Sequence, residues 1–325
     1  MANNHIISIE REARLSVDLG RLKISFPTEG CAHYIAFIDI AVVIAAHPQI
    51  SFSTGAQREL ARAGAVLVTA DEKFMPCALN IPVGINLEGA KRPHLQAKFF
   101  NAQERGIWWA QIVKAKILGQ AKSAELFNKT LKEKLTLISK KVMPADKDCM
   151  EAYAAQTYWP EYFSGLGCSV SYREKQGAAD PVNISLNYAY AVLRAIVARA
   201  LVSAGLCLNF GVGHCRKDNP FNLADDFIEP FRFLADITVF DIFNSGHYQE
   251  FNSEVKKLIL SGLLKASVNI SGREYRLFQA VDFSVNSFCV SLEDPRRKLL
   301  LPNQPESPGK KPAEITPPIQ FEYET

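Results

Sequence analysis

The segment from Gly213 to Arg232 contains the residues of this chain best suited to do chemistry. His214 stands in a glycine-flanked loop, and three carboxylates follow eleven to fifteen residues later among apolar residues: Asp225, Asp226 and Glu229. A buried carboxylate without a partner costs free energy, and a divalent cation is a partner that removes this cost. Nitrogen and oxygen donors with room for water suit Mg²⁺ or Mn²⁺ better than a closed zinc site. The segment therefore predicts a metal-dependent enzyme.

The spacing of the carboxylates indicates how such a site would form. Asp226 and Glu229 stand at positions i and i+3, whereas Asp225 and Glu229 stand at i and i+4. On a helix either pair shares one face, with Cβ atoms about 5–6 Å apart, so the sequence leaves open which aspartate accompanies Glu229. Pro230 lacks a backbone N–H and predicts a kink beside Glu229. The alternative is a solvated acidic turn near a helix start, which the helix dipole favours.

Two further residues have an ordinary explanation when each is taken alone. Glu151 opens the segment Glu-Ala-Tyr-Ala-Ala-Gln-Thr-Tyr-Trp-Pro, where a glutamate is by default a first-turn helix residue. A lone histidine such as His214 is most often structural, and the neighbouring Cys215 has no second spaced pair that would indicate zinc. The glycines of residues 211–213 form no dinucleotide-binding motif, because no third glycine follows.

Short apolar runs separated by turn residues predict an all-β module in the first part of the chain. Strands are expected at residues 6–9, 15–19, 22–26, 38–44, 50–53, 65–69 and 77–81. One helix is expected at residues 54–63, with Gly64 just past its end as a C-cap.

After residue 84 the pattern becomes helical and rich in Ala, Lys, Leu and Gln. Helices are expected at residues 95–119, 121–140, 146–163, 185–204, 221–242 and 248–264, and a short hairpin or extended segment at 268–292. The chain is therefore predicted to be α+β. Its parts are an N-terminal β-sandwich-like domain (1–84), a linker (85–94), a larger all-α-helical catalytic domain (95–300) and a Pro-rich disordered tail (301–325).

Charge is distributed unevenly along the chain. The net charge is +3, but the window Lys91–Lys141 has 12 Lys and Arg against 3 Asp and Glu, a net charge of +9, which leaves about −6 for the remainder. This asymmetry indicates a polyanionic partner. About half of these lysines are nevertheless expected to lie on solvated helix faces without contacting it.

Cysteine usage and hydropathy bear on the compartment. Seven cysteines without a Cys-x-x-Cys pair predict a reducing cytoplasm rather than a disulfide framework. Residues 1–14 contain no apolar run that would serve as a signal peptide. Residues 34–46 are too few to span a bilayer, and the apolar stretch 186–210 is interrupted by Arg194 and Arg199. We therefore expect a cytoplasmic protein without a membrane partner.

Four motifs, in this order and at this spacing, resemble the CRISPR-associated integrase, the first of the numbered CRISPR-associated proteins, and most closely its type II form. The motifs are residues 151–159, 181–195, 213–214 and 222–232, and the run 37–49 adds to the resemblance. Together they cover roughly residues 6–300. The family's fold, an N-terminal β domain followed by a helical domain, agrees with the pattern of strands and helices above.

The resemblance implies a catalytic metal site formed by Glu151, His214 and Glu229, which would bind Mg²⁺ or Mn²⁺. Asp226 matches an acidic position near the rim of that site, and Asp225 is the further candidate. The sequence departs from the family at two positions. Cys215 stands where a second histidine is frequent, and Phe233 replaces the proline that often follows the Phe-Arg pair. Both departures affect neighbours of the ligands rather than the ligands.

The resemblance also implies an activity and partners. Each 3′-hydroxyl of a short duplex DNA fragment would attack a phosphodiester of the CRISPR repeat, a transesterification that needs no ATP. The chain has no Walker lysine motif and no Gly-x-Ser-x-Gly elbow. The implied partners are double-stranded DNA, a second copy of the chain bound through the β domain, and a small ferredoxin-like adaptation protein that forms a heterohexamer with it. The RNA-guided effector nuclease of type II systems is a further candidate partner.

DNA must be bound by residues other than the acidic ones. The candidates are Arg173, Lys175, Arg216, Lys217, Arg232, Asn187, Lys114 and Lys116. Two other functions use the same sequence features. A stand-alone metal-dependent nuclease for branched or single-stranded DNA would need the same ligands. A non-catalytic helical DNA-binding scaffold would use Glu151, His214 and Glu229 only for structure.

Overall fold

A computed structural model describes residues 5–70, 76–82, 91–168, 170–175 and 177–303, with a strand-rich region followed by a helical region. The strands of the first region are β1 (His5–Ile9), β2 (Ala13–Asp18), β3 (Arg21–Phe26), β4 (Cys31–Ala36), β5 (Ile40–Ala45), β6 (Ile50–Phe52), β7 (Val66–Ala70) and β8 (Pro76–Asn80). Helix α1 (Thr54–Arg62) begins where the Ser53 hydroxyl accepts a hydrogen bond from the Ala56 N–H at 3.1 Å. The predicted β module and its helix are confirmed, and β4 is an additional strand.

These strands form two four-stranded sheets, in the orders β1-β5-β7-β8 and β4-β3-β2-β6. Alternate residues of β5 face two different cores. Val43 and Ala45 pack between the two sheets, in a cluster that includes Leu15 of β2. Val42 and Ile44 point the other way and join the core of the helical region. The first sheet is therefore buried on both faces, which explains why β5 is continuously apolar rather than alternating.

The helical region contains α2 (Lys91–Phe99), α3 (Gln103–Ala124), α4 (Lys129–Lys140), α5 (Met150–Gly165), α6 (Pro181–Ser203), α7 (Asn222–Ile228), α8 (Arg232–Asn244), α9 (Ser253–Lys265), the hairpin β9 (Ser267–Ile270) and β10 (Arg273–Arg276), and α10 (Leu277–Glu293). The helix predicted at 221–242 is divided by a 3-10 turn at Glu229–Phe231. Pro230 lies in this turn, so the predicted kink beside Glu229 is confirmed.

Several predicted boundaries need correction. The helix predicted at 95–119 is divided between α2 and α3, and the break predicted at residue 120 lies inside α3, which continues to Ala124. Only the first part of residues 268–292 is extended, because residues 277–293 bury one helical face with Leu277, Val281 and Phe288 and form α10. Residues 91–94, assigned to the linker, form the start of α2, and residues 85–90 lie outside the described residues. Leu301 of the predicted tail is buried, whereas residues 304–325 lie outside the described part of the chain.

Helix α6 runs through the centre of the helical region and contacts α7, α8, α9 and α10. Within the described residues it is the one helix that is long and apolar enough to cross a membrane. Of its apolar 18-residue stretch, 72% is buried inside the protein. It begins at Pro181, where the Asp180 carboxylate accepts a hydrogen bond from the Asn183 N–H at 2.8 Å. Its burial and its two arginines are those of a core helix.

Candidate active site

All three predicted metal ligands line one cleft of about 630 Å³ in the helical region. Glu151 lies in the first turn of α5, His214 in the loop before α7, and Glu229 in the 3-10 turn between α7 and α8. Lys116 of α3 completes the floor of the cleft. The fold thus brings together residues that are far apart in the sequence. Each side chain is positioned by the helix, loop or turn that carries it.

A strained turn positions Glu151. Ala145, Asp146 and Cys149 all have positive φ angles, of 61°, 48° and 51°, although none is glycine. The turn places the Asp146 carboxylate at the start of α5, where it accepts hydrogen bonds from the Met150 N–H at 2.9 Å and the Glu151 N–H at 3.0 Å. Asp146 therefore satisfies two N–H groups that a helix start leaves without partners, and it fixes the backbone of Glu151.

The Asp226 carboxylate organises the loop that carries His214. It accepts hydrogen bonds from the backbone N–H groups of Val212, Gly213 (3.0 Å) and His214 (2.9 Å). It also lies 2.7 Å from the Nδ1 atom of His214. This hydrogen bond raises the pKa of His214 above its ordinary value. With Nδ1 used in this way, Nε2 is the ring nitrogen left for a ligand in the cleft.

Two glycines allow the loop to approach its neighbours closely. A Cβ atom on Gly211 would lie 2.1 Å from the His214 carbonyl oxygen, and one on Gly213 would lie 2.3 Å from the Trp109 ring. Trp109 also contacts the His214 ring edge to face, with ring centroids 5.7 Å apart. The two glycines therefore allow close packing of the backbone around His214. This packing accounts for both glycines without a nucleotide-binding role.

The two candidate aspartates have different roles. Asp226 is fully buried, its carboxylate is used by the His214 loop, and it does not line the cleft. Asp225 forms an ion pair with Arg194 at 2.7 Å and accepts a hydrogen bond from the Asn219 amide at 2.6 Å, also outside the cleft. Neither aspartate is placed as a metal ligand, so the additional acidic position expected from the sequence positions His214 instead.

Charges of alternating sign connect Glu151 and Glu229 across the cleft. The Lys116 Nζ atom lies 2.5 Å from Oε1 of Glu151 and 2.7 Å from Oε2 of Glu229. The Nε atom of Arg232 lies 3.0 Å from the same oxygen of Glu229. Burial by itself raises the pKa of Glu229, but the charges of Arg232 and Lys116 outweigh it and hold that pKa at about 2. Burial lowers the pKa of Lys116, and the two glutamates raise it by more.

The donor atoms around the cleft fit a hard divalent cation. Two carboxylates and an imidazole nitrogen are ligands that Mg²⁺ and Mn²⁺ accept. The site already stabilises one positive charge between Glu151 and Glu229, the Lys116 ammonium. Over the described ranges no three His, Cys, Asp or Glu side chains converge closely enough to form a preassembled metal site. A cation bound by Glu151, His214 and Glu229 would therefore take over the place of this ammonium.

Four of the predicted DNA-contact residues line the cleft: Arg173, Lys175, Arg232 and Lys116. Burial and the nearby charges of Arg232 and Lys116 lower the pKa of Lys175. Burial likewise lowers the pKa of Arg173. Cations whose charged forms are disfavoured in this way gain stability when an anion binds beside them. This wall of the cleft is therefore suited to a phosphate group.

The other four candidates lie outside the cleft. Asn187 accepts a hydrogen bond from Arg173 and so orients that side chain. Arg216 and Lys217 are exposed, and Arg216 is paired with Asp218 at 2.8 Å. Lys114 precedes Lys116 by two residues, which places it on a different face of α3, and it does not line the cleft.

A buried network beneath the cleft supports Arg232. The guanidinium groups of Arg232 and Arg173 lie 4.6 Å and 5.2 Å from the centroid of the Tyr190 ring. The Tyr190 hydroxyl donates a hydrogen bond to Asp236, and the Tyr158 hydroxyl donates another at 3.0 Å. Burial raises the pKa of Asp236 to about 6 against the opposing effect of these hydrogen bonds. The network fixes the ring against which both arginines pack.

Several residues of the site were not singled out from the sequence in these roles. Asp146, Trp109, Gln120 and Asp236 belong to none of the four motifs. Tyr190 lies within the motif 181–195 but was given no role, and Lys116 was expected only as a DNA contact. The one available signal was the placement of Lys116 and Gln120 among apolar residues of α3, four positions apart and hence on one face.

The chain is similar to known proteins over nearly its whole length. The family model described as CRISPR associated protein Cas1 matches residues 6–268. The CRISPR-associated endonuclease Cas1 of Neisseria meningitidis serogroup C is 32% identical over 318 residues, covering 97% of this chain and 98% of the relative. A Cas1 endonuclease of Pyrobaculum aerophilum is 32% identical over 202 residues, covering 58% of this chain and 66% of the relative.

Solved structures share the fold. A casposase bound to its integration product has a TM-score of 0.76 at 20% identity, with 93% of each chain covered. A Cas1 protein from Thermotoga maritima has a TM-score of 0.75 at 14% identity, covering 91% of this chain and 99% of that chain. The resemblance expected from the four motifs is confirmed by the family model and by the nearly full-length relative. This chain belongs to the Cas1 family of CRISPR-associated proteins.

Proposed function

We propose that this chain is a metal-dependent DNA integrase of CRISPR adaptation, which inserts short duplex DNA fragments into the CRISPR array. The observation that carries the proposal is the convergence of Glu151, His214 and Glu229 on one cleft with a cationic wall. The relative named as an endonuclease and the casposase bound to an integration product support it. Such a site needs no nucleophilic side chain, since the 3′-hydroxyl of the DNA fragment is the nucleophile.

Strand joining exchanges one phosphodiester for another. The 3′ oxygen of the fragment bonds to a phosphorus of the repeat, one phosphorus–oxygen bond of the repeat breaks, and the leaving oxygen gains the proton that the attacking hydroxyl loses. A Mg²⁺ or Mn²⁺ ion held by Glu151, His214 and Glu229 would supply positive charge at the phosphoryl oxygens. The number of phosphodiesters is unchanged, so no ATP is required.

The chain's own residues hold the reacting groups in this proposal. Asp226 fixes the ring of His214, and Asp146 fixes the backbone of Glu151. Arg173, Lys175 and Arg232 face the cleft and would bind the scissile phosphate.

The chain has further cationic surface outside the cleft. An adjoining groove of about 750 Å³ is lined by Trp109, Phe100, Arg105 and Lys147 and would continue the path of a DNA strand away from the site. Seven lysines of the window Lys91–Lys141 are exposed: Lys91, Lys98, Lys122, Lys129, Lys134, Lys140 and Lys141. These lysines are our candidates for contacts to the phosphates of duplex DNA.

The proposed partners follow from the family. A complex of a Cas6–reverse transcriptase–Cas1 protein with Cas2 contains a chain of this fold, with a TM-score of 0.74 at 15% identity that covers 93% of this chain and 36% of that one. We propose that this chain likewise forms a homodimer through its β domain and a heterohexamer with a small ferredoxin-like second adaptation protein. Its place of action would be the cytoplasm, with the type II effector nuclease as a further partner.

An integration assay tests the proposed function. Purified protein and its small partner would be incubated with a short duplex bearing free 3′-hydroxyls and with supercoiled plasmid bearing a repeat array, in Mn²⁺, Mg²⁺ or EDTA. We expect metal-dependent joined product from the wild type. We expect no such product from His214→Ala, provided its circular dichroism and melting temperature show that it is folded.

Two outcomes of the same assay would support the other functions. Metal-dependent cleavage without joining, with a partner of proven activity, would support the stand-alone nuclease, which the name of the Neisseria relative favours. DNA binding without any metal-dependent reaction, unchanged in Glu151→Ala, would support the scaffold.

A further inference from the structure

Lys116 occupies the position between the two carboxylates on which the proposed metal site depends. Its side chain is 13% exposed, and its ammonium group contacts Glu151 at 2.5 Å and Glu229 at 2.7 Å. A buried lysine normally needs such partners, and two carboxylates that contact the same ammonium group would repel each other without a cation between them. The lysine and a divalent ion therefore have the same binding partners.

We propose that Lys116 is a built-in competitor of the divalent cation. It holds Glu151 and Glu229 together in the metal-free protein and leaves them when an ion binds. The inference rests on the proposed function, because it needs the metal site. Two carboxylates do not compensate a divalent ion, the Lys116 ammonium and the Arg232 guanidinium at once, so one cation has to move.

Lys116 is the cation that can move. Its ammonium group sits on a flexible four-carbon stem, whereas the guanidinium of Arg232 packs on the Tyr190 ring with 4.6 Å between its carbon and the ring centroid. The backbone of α3 stays fixed because the neighbouring Ala115 and Ile117 are fully buried. The exchange therefore requires a rotation of the Lys116 side chain and no movement of the helix.

An acceptor for the displaced ammonium lies one turn further along α3. Gln120 is 5% exposed and lines the same cleft. Within the described part of the chain its Oε1 atom accepts no hydrogen bond. Residues four apart on a helix are neighbours on its surface. We infer that the Gln120 Oε1 atom receives the Lys116 ammonium once the ion is bound, which would explain an otherwise unsatisfied buried amide oxygen.

Mn²⁺ affinity, measured by titration calorimetry or by electron paramagnetic resonance of free Mn²⁺ without DNA, tests the exchange. Lys116→Met keeps the length of the side chain but removes the competing charge, and we expect it to bind Mn²⁺ about tenfold or more tightly than the wild type. Lys114→Met removes the same charge from the same helix outside the cleft and should leave the affinity unchanged. Equal affinities of the wild type and Lys116→Met would overturn the proposal.

Gln120→Leu provides a second test, which addresses Gln120 as the acceptor of the Lys116 ammonium. Loss of the acceptor should weaken Mn²⁺ binding several-fold when Lys116 is present and have no effect in the Lys116→Met background, since no ammonium then needs to be received. If Lys116→Met does not fold, Lys116→Gln takes its place in both comparisons. An effect of Gln120→Leu that is equal in both backgrounds would contradict the proposed acceptor.

The result also separates this inference from the proposed function. Wild-type Mn²⁺ binding that is lost in Glu151→Gln, together with an unchanged affinity in Lys116→Met, would leave the metal site standing and reject the competition. Absence of Mn²⁺ binding by the wild type and by every Lys116 variant would reject the metal site and the competition together.

Discussion

Asp226 binds His214 at two points, through the backbone N–H at 2.9 Å and through the ring Nδ1 atom at 2.7 Å. The same carboxylate accepts hydrogen bonds from the N–H groups of Val212 and Gly213. One buried side chain therefore sets both the path of the loop and the orientation of the His214 ring. The role of Asp226 is therefore to present His214 to the cleft.

Asp226→Asn tests this role. An amide cannot accept all of these hydrogen bonds, because its nitrogen only donates. We expect strand joining and Mn²⁺ affinity each to fall by about 10- to 100-fold, the usual cost of losing a residue that orients a metal ligand. Asp225→Asn is the matched control, since its ion pair with Arg194 lies outside the cleft. Equal losses in both variants would show that Asp226 only stabilises the fold.

Glu229→Gln should destabilise the protein far more than Glu151→Gln. The Glu229 side chain is 3% exposed and faces both Lys116 and Arg232, whereas the side chain of Glu151 is 29% exposed. Removal of one partner from a buried charge cluster typically costs about 3–5 kcal/mol. We expect a loss of that size in urea unfolding for Glu229→Gln and about 1 kcal/mol or less for Glu151→Gln. The reverse order would mean that the charges at Glu229 are solvated.

Gly213→Ala should disturb the His214 loop through Trp109. The added Cβ atom would lie 2.3 Å from the indole ring, so either the ring or the loop must move. We expect lower strand joining and a loss of about 1–3 kcal/mol in the free energy of unfolding, as for overpacking elsewhere. Replacing Trp109 by Leu in the same protein should restore part of that stability. Gly55→Ala in α1, whose Cβ would meet Val17 at an ordinary 3.5 Å, should leave strand joining unchanged and should not lower the free energy of unfolding.

The raised pKa of Asp236 predicts that the stability of the fold depends on pH. Because its pKa is raised to about 6 in the folded protein from 3.8, the fold favours its protonated form. Its contribution to the unfolding free energy is fully present below about pH 4 and is lost as the pH rises through about 6, by about 3 kcal/mol in total. The titratable and charged groups around it are Tyr158, Tyr162, Tyr190, Arg173 and Arg232.

Chemical denaturation of Asp236→Asn and of the wild type between pH 4 and pH 7 measures this contribution. The variant should lack the decrease in stability between pH 4 and pH 6 that the wild type shows. Parallel curves for the two proteins would contradict the assignment to Asp236. Asp148→Asn, a substitution at an exposed carboxylate, serves as the control for a change of charge.

The exposed lysines of the window Lys91–Lys141 should contribute to DNA binding without sequence preference. For Lys122, Lys129 and Lys134 changed together to Gln, we expect weaker binding of every duplex. The slope of log affinity against log salt should become shallower by about 0.9 for each DNA phosphate that the variant no longer neutralises. A change of Lys257 and Lys265, two exposed lysines of α9, removes similar charge outside this window. An unchanged slope in the triple variant would remove these positions from the DNA-binding surface.

The sequence identified the residues proposed as metal ligands better than it identified their surroundings. Glu151, His214 and Glu229 stand in motifs with recognisable spacing, so their convergence was expected and is observed. The contacts of Lys116 depend on how α3 packs against α5 and the 3-10 turn, and no local pattern encodes that packing. The functions of Asp226 and Asp225 were likewise undecided, because helical spacing allowed either to face the cleft.

The secondary structure was also predicted in part, and the errors have local causes. Strands with apolar runs or alternation were predicted within a few residues, whereas β4 was missed because its exposed and half-buried residues carry little apolar signal. Helix α10 was taken for an extended segment because Val281, Phe283 and Val285 favour strands locally. Burial of its apolar face overrides that preference.

Strand β5 has a consequence for how the protein unfolds. Val42 and Ile44 belong to the helical core, and Val43 and Ala45 to the core between the sheets. Melting of either region would expose one face of this strand to water, at roughly 25 cal/mol for each Å² of apolar surface. The strand therefore couples the two regions thermodynamically. They are expected to denature in a single transition, and a helical fragment made without the strands would carry an uncovered apolar surface.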